Sequence, residues 1–96
     1  LKHIKETGNH LHQKLNDLKK QFPTLITDVR GMGLIQGIAL TITPKDVVFR
    51  CFEKKLLLAS AGSNVVRFVP PLIITKEEID KAIAILKESL EELLST

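Results

Sequence analysis

Between Gly33 and Thr43 the chain runs through nine residues, Leu34 to Ile42, in which both alternating sets are mostly apolar or small. Successive side chains of a strand point to opposite faces. Leu34, Gln36, Ile38, Leu40 and Ile42 therefore share one face, and Ile35, Gly37, Ala39 and Thr41 share the other. A strand with so little polar surface has no side to give to water. It belongs at the centre of a sheet with cover on both faces, so the remaining sequence must supply flanking strands and helices to pack on it.

The helices are legible from spacing. Ile4, Leu11, Leu15, Leu18 and Phe22 fall on one helical face, with Gly8 at the missing step and Lys5, Glu6, Gln13, Asn16, Asp17 and Lys20 opposite. Gly8 weakens such a helix by about 1 kcal/mol relative to Ala, but it lets a neighbouring element approach closely. Pro23 closes the segment by disfavouring helical geometry at Phe22. Thr43-Pro44-Lys45-Asp46 reads as a second helix start, with Thr43 as cap and Pro44 at the first helical position. Val47, Val48, Cys51 and Phe52 give its apolar stripe, to about Lys54. Thr75 and Glu78 have the spacing of a capping box, opening a third helix that buries Ile79, Ala82, Ile83, Leu86, Leu90, Leu93 and Leu94. Between these lie an extended piece at Ile26–Arg30, a turn at Gly31-Met32-Gly33, and short strands at Leu56–Ala59 and Val65–Val69. A turn at Ala61-Gly62-Ser63-Asn64 joins the last two, and Pro70-Pro71 stops the second. The order specifies one α+β domain: a small antiparallel sheet centred on Leu34–Ile42, with three helices packed largely on one face.

Ninety-six residues suffice for one domain. No apolar run approaches the length of a membrane span, and no N-terminal basic-then-apolar segment resembles a secretion signal. The chain opens at Leu1, without methionine, inside that helix, which reads as a piece of a longer protein. The net charge of +3 raises nucleic acid as a partner. The basic residues alternate with acids, however, as in Lys76-Glu77-Glu78, which is the pattern of a solvated helix face rather than a phosphate-tracking stripe. A free-standing α+β module for nucleic acid or a regulatory ligand is the rival reading, yet RNA-binding sheets display paired aromatics, and only Phe68 lies in a strand. One cysteine, Cys51, rules out an intrachain disulfide and a thiolate metal cluster, in keeping with a reducing cytoplasm.

Few residues carry chemistry. His10 and His12 point apart on a helix, and His3 lies two turns from His10, so no metal site is expected. No nucleophile motif is present, and Gly31-Met32-Gly33 lacks the third glycine and following helix of a phosphate loop. Arg67 is different: it projects with Val65 and Val69 from the face opposite Val66 and Phe68, where a guanidinium can hold a carboxylate by paired hydrogen bonds. The residues alone favour the plainer reading, an arginine on a half-solvated strand or paired with a nearby acid.

Val29-Arg30-Gly31-Met32-Gly33-Leu34, Leu56-Leu57-Leu58-Ala59 and the stretch from Ala61 through Val65-Val66-Arg67-Phe68-Val69-Pro70-Pro71 to Leu72 resemble, in the same order, the end of class III pyridoxal-phosphate-dependent aminotransferases. The branch that acts on acylated ornithines is the nearest likeness. The resemblance implies that residues 1–96 are the C-terminal small domain of a cytoplasmic, dimeric fold type I enzyme. Such an enzyme moves an amino group between N-acetylornithine, or a related ω-amino acid, and 2-oxoglutarate in arginine biosynthesis. It implies that pyridoxal 5'-phosphate and its Schiff-base lysine belong to a large domain upstream, so that this chain has no catalytic or cofactor-binding residue and is inactive alone. It further implies that the large domain covers the sheet's second face and that Arg67 binds the substrate's α-carboxylate, reversing the plainer reading. One departure stands out: the family usually has glycine where this chain has Lys55, and a left-handed cap there costs a non-glycine residue about 1 kcal/mol.

Overall fold

The computed structural model describes residues 2–95. The first helix, α1 (Lys2–Gln21), buries Gly8, Leu11, Leu15 and Leu18 along the stripe read from spacing, and Phe22 continues it into the core. Gly8 is a packing requirement, since a Cβ there would lie 2.7 Å from the Gly33 carbonyl oxygen. Helix backbone and hairpin turn therefore meet directly. The buried Gln36 ties them together, its Nε2 donating to the Gly8 carbonyl at 2.8 Å and also to that of Gly33.

β1 (Ile26–Met32) and β2 (Ile35–Leu40) form an antiparallel hairpin in which Arg30 faces Gly37 and Met32 faces Ile35. The strand outlasts the expected turn at Gly31-Met32-Gly33. Gly31 adopts φ 99° within β1, and the reversal falls on Gly33-Leu34, with Gly33 at φ 60°. Glycine absorbs the bend at Gly31 without ending the pairing. α2 (Pro44–Glu53) then carries the chain across to β3 (Leu58–Ala61), which turns through Gly62-Ser63-Asn64 into β4 (Val65–Phe68). β4 pairs antiparallel with both β2 and β3, giving the order β1-β2-β4-β3.

α2 ends well before the chain can become a strand. Leu56 N–H donates to the Cys51 carbonyl and Lys55 N–H to that of Phe52, both at 2.9 Å, while Lys55 takes φ 69°. This is a Schellman cap with lysine in the left-handed position. It consumes Lys55-Leu56-Leu57, so β3 begins at Leu58 rather than at Leu56 as the sequence implied. Thr43 occupies the N-cap, but its side chain makes no capping bond. α3 (Lys76–Leu94) starts with the full capping box: Thr75 Oγ1 accepts from Glu78 N–H at 3.1 Å, and Glu78 Oε1 accepts from Thr75 N–H at 2.9 Å.

The core lies between the helices and one face of the sheet. Leu11, Leu15 and Leu18 of α1, Val47 and Cys51 of α2, and Ile79, Leu86 and Leu90 of α3 meet Ile38, Leu40, Leu58, Val66 and Phe68. Two expected core residues lie outside it. Phe52 sits a further 100° round α2 from the buried stripe and is 63% exposed, and Leu94 belongs to a last turn that outruns the core. Polar side-chain contacts join the helices: His10 Nε2 bonds the Asp80 carboxylate at 2.7 Å, and Glu92 Oε1 accepts from Lys54 at 2.8 Å and Arg50 at 3.2 Å. The face bearing Ile35, Gly37 and Ala39 has no helix over it among the described residues, so within this chain the central strand is covered on one side only. Gly37 and Ala39 are nonetheless buried, being small among taller neighbours, while Ile35 is 70% exposed. Among the described residues no helix is long and apolar enough to cross a membrane.

Candidate carboxylate-binding groove

The strand register builds one row across the open face. Arg30 on β1 faces Gly37 on β2, which faces Arg67 on β4, which faces Ala59 on β3. Cross-strand partners share a face, so two arginines stand in this row with residues of little or no side chain beside them. Gly37 admits nothing larger, because a Cβ there would lie 2.5 Å from the Val66 carbonyl oxygen. The result is an open groove of about 580 Å³ lined by Arg30, Gly37, Ala61, Val65 and Arg67, with Ile35 at one side.

Arg67 stands where strand alternation places it, exposed between Val66 and Phe68, which are both buried under the helices. Among the described residues its guanidinium makes no hydrogen bond or salt bridge. The paired form of the plainer reading therefore has no partner to name here, while an arginine on a half-solvated strand has the same exposure. Arg67 also borders a second apolar hollow formed by Leu34, Ile35, Val69, Pro70 and Leu72. An unpaired guanidinium beside apolar walls is suited to a carboxylate, which it can hold through two parallel charge-assisted bonds.

Arg30 is not singled out by the sequence, and neither is Asp28, whose Oδ2 accepts from Arg30 Nε at 3.3 Å. The place of Arg30 in the row depends on the hairpin register, which follows from the turn falling on Gly33-Leu34. The open-face strand residues include no aromatic: Phe68 is buried beneath the helices, and Phe49 and Phe52 belong to α2. The sheet thus offers nothing for bases to stack on.

The other candidates stay apart from the groove. His3 Nε2 bonds the Ile74 carbonyl, His10 bonds Asp80, and among the described residues no three potential ligands gather. Cys51 is buried against Ser89, and burial pushes its thiol above its ordinary pKa, away from the reactive thiolate. No lysine lines the groove, so its residues do not make a pyridoxal-phosphate site by themselves: they offer cations for an anion but no amine for the aldehyde.

Comparison with known proteins agrees with this architecture. The sequence profile of the family described as aminotransferase class-III matches residues 1–90. An acetylornithine aminotransferase of Clostridium acetobutylicum is 48% identical over 88 residues, which cover 92% of this chain and 22% of that protein. One from Aquifex aeolicus is 43% identical, covering 94% and 22%. Among solved structures, lysine aminotransferase from M. tuberculosis superimposes with a TM-score of 0.88 at 30% identity, over 93% of this chain and 21% of that one. The acetylornithine aminotransferase of Elizabethkingia anophelis gives 0.85 at 28%, over 94% and 23%. The chain thus spans roughly a fifth of the length of these relatives. By profile, relatives and fold alike, it belongs to the class-III aminotransferases.

Proposed function

We propose that this chain is the C-terminal small domain of a pyridoxal-phosphate-dependent transaminase, and that Arg67 holds the α-carboxylate of its amino-acid substrate. The observation that carries the proposal is Arg67 itself, exposed and unpaired beside a groove whose floor is kept clear by Gly37. The amino donor is N-acetylornithine or a related ω-amino acid, a choice supported by the names of the relatives, and the acceptor is 2-oxoglutarate. Bound elsewhere in the enzyme, pyridoxal phosphate supplies the electron sink. This chain supplies the anchor that positions the substrate's reacting end.

The open face is where the rest of the enzyme packs in this reading. Ile35 there, and Met32, Val69 and Leu72 at its margins, leave apolar side chains exposed of the kind that marks an interaction surface. A homodimeric cytoplasmic enzyme of arginine biosynthesis completes the proposal, with this domain inactive on its own.

Arg67→Ala in the complete enzyme tests it. Removing a charge-assisted pair is expected to weaken substrate binding about ten- to a hundredfold. The loss in kcat/KM should be at least as large, because a misplaced carboxylate misaligns the amine. Arg67→Lys should restore only part, lacking the planar fork, and cofactor absorbance should be unchanged. An amine without the α-carboxylate is the control, and equal losses for both substrates would refute the role.

A further inference from the structure

The helix layer carries an apolar patch of its own, on the side turned away from the sheet. α2 packs on α3, β3 and β4, burying Val47 and Cys51, while Arg50 and Lys54 reach to Glu92 of α3. The opposite side of the same helix presents Phe49 and Phe52, each 63% exposed, with Lys45 and Glu53 exposed beside them. Two bare aromatic rings one turn apart are the kind of side chain that anchors an interface. The open sheet face, where the rest of the enzyme is proposed to pack, lies on the other side of the sheet from this patch.

The charges around the rings say what fits. Lys45, Phe49 and Glu53 follow one another at intervals of four, so they form a single ridge on α2. The cation stands at its N-terminal end, a ring in the middle and the carboxylate at its C-terminal end. Among the described residues neither Lys45 nor Glu53 joins an ion pair. Turned end for end, this ridge is its own complement. A two-fold axis beside Phe49 sets ring against ring and places each Lys45 next to the partner's Glu53, once at either end. Ridges spaced by four that interdigitate with their like give the commonest helix crossing in globular proteins, and a two-fold contact satisfies both charge pairs with one patch. Asp46 stands off the ridge in the first turn, where a carboxylate favours the helix amides.

We propose that α2 is a self-association surface, and that its occupant is α2 of a second copy of this chain packed end for end about Phe49. The contact is independent of the role given to Arg67. In a homodimeric enzyme it joins dimers through their small domains into a larger assembly.

Sedimentation velocity of the complete enzyme over a concentration series tests this. Phe49→Ser removes the central ring and is expected to raise the dissociation constant of the larger assembly at least about thirtyfold. Melting temperature and kcat/KM should be unchanged, because the ring is exposed and remote from the groove. Lys45→Glu or Glu53→Lys alone sets like charges together at both ends and should raise the constant about tenfold. Combining the two reversals restores the complement and should bring the constant back to within about threefold of the original. A wild-type enzyme no heavier than Phe49→Ser at any concentration overturns the proposal. So does a Phe49→Ser enzyme that loses stability at unchanged mass, since the ring would then pack against the rest of its own polypeptide. A double reversal that associates no better than either single one overturns it too, because the charges would not be facing their own copies.

Discussion

The two faces of the sheet are made by alternate residues of the same four strands, yet they answer to different constraints. On the helix side, Ile38, Leu58, Val66 and Phe68 fill space against three helices. On the open side, Ile35, Gly37, Ala59 and Arg67 leave space and present charge. Stability is concentrated on the first face, and the proposed substrate contact lies on the second. One residue step along β4 separates a buried valine from an exposed arginine, so substitutions one position apart should differ in which property they change.

The sharpest contrast is between Leu86→Ala and Ile35→Ala in this chain. Leu86 is fully buried, and its truncation should cost about 2–5 kcal/mol through lost transfer energy and a residual cavity. Ile35 lies on the open face, where the same change should stay within about 0.5 kcal/mol. Denaturant midpoints at constant m-value read both. Similar losses at the two positions would erase the distinction between the faces.

Gly8→Ala sharpens it from the helix side. Helix propensity alone favours alanine by about 1 kcal/mol. The added methyl would meet the Gly33 carbonyl at 2.7 Å, and overpacking of this kind costs about 1–3 kcal/mol. The expected result is a net loss in melting temperature, whereas a gain would show that helix and hairpin separate easily. Lys55→Gly carries the opposite sign: relieving the left-handed lysine at φ 69° should stabilise the chain by about 1 kcal/mol. An unchanged midpoint would mean that the cap holds no strain.

The smallest effect concerns the charged links between helices. The Glu92 carboxyl is held below its ordinary value of 4.5, first by the hydrogen bond from Lys54 and then by Arg50. The hydrogen bond from His10 lowers that of Asp80 below 3.8. A carboxyl depressed in the folded state contributes stability that is fully present above its unfolded pKa and lost as pH falls through the folded one. Stability should therefore decline below about pH 4.5. Glu92→Gln should flatten part of that slope in a pH series of melting curves, and salt should flatten it further, because these groups are exposed.

What can be read in the sequence follows the range of the interactions. The capping box at Thr75 and Glu78 and the stripe of α1 are local patterns, and the structure reproduces them. The face of Arg67 is readable because alternation within one strand assigns it. The hairpin turn is not, since either Gly31 or Gly33 can take a positive φ and only pairing decides which ends the strand. The start of β3 is hidden in the residues themselves, because Lys55 has a Cβ, and only the likeness to a glycine position points to its left-handed cap. The groove joins three strands through a register set by contacts distant in sequence. Arg30 and Arg67 therefore become neighbours only in the folded sheet. Alternation gives the face of Gln36 correctly, but not its two hydrogen bonds to the Gly8 and Gly33 carbonyls, which join separate elements.

The strand order also bears on how the chain assembles. β2 and β3 run parallel with β4 between them, so the last strand in the sequence occupies an interior position in space. The β1–β2 hairpin can form early, closed by its two-residue reversal, but β3 has no partner until β4 follows it. During synthesis, a chain that has not passed Phe68 holds one hairpin with an open edge and an apolar segment unpaired, a state prone to association. Insertion of the β3–β4 hairpin beside β2 is then the closing event. It completes the layer beneath all three helices and, in the same step, brings Arg67 into line with Arg30. The groove does not exist until β4 pairs with β2.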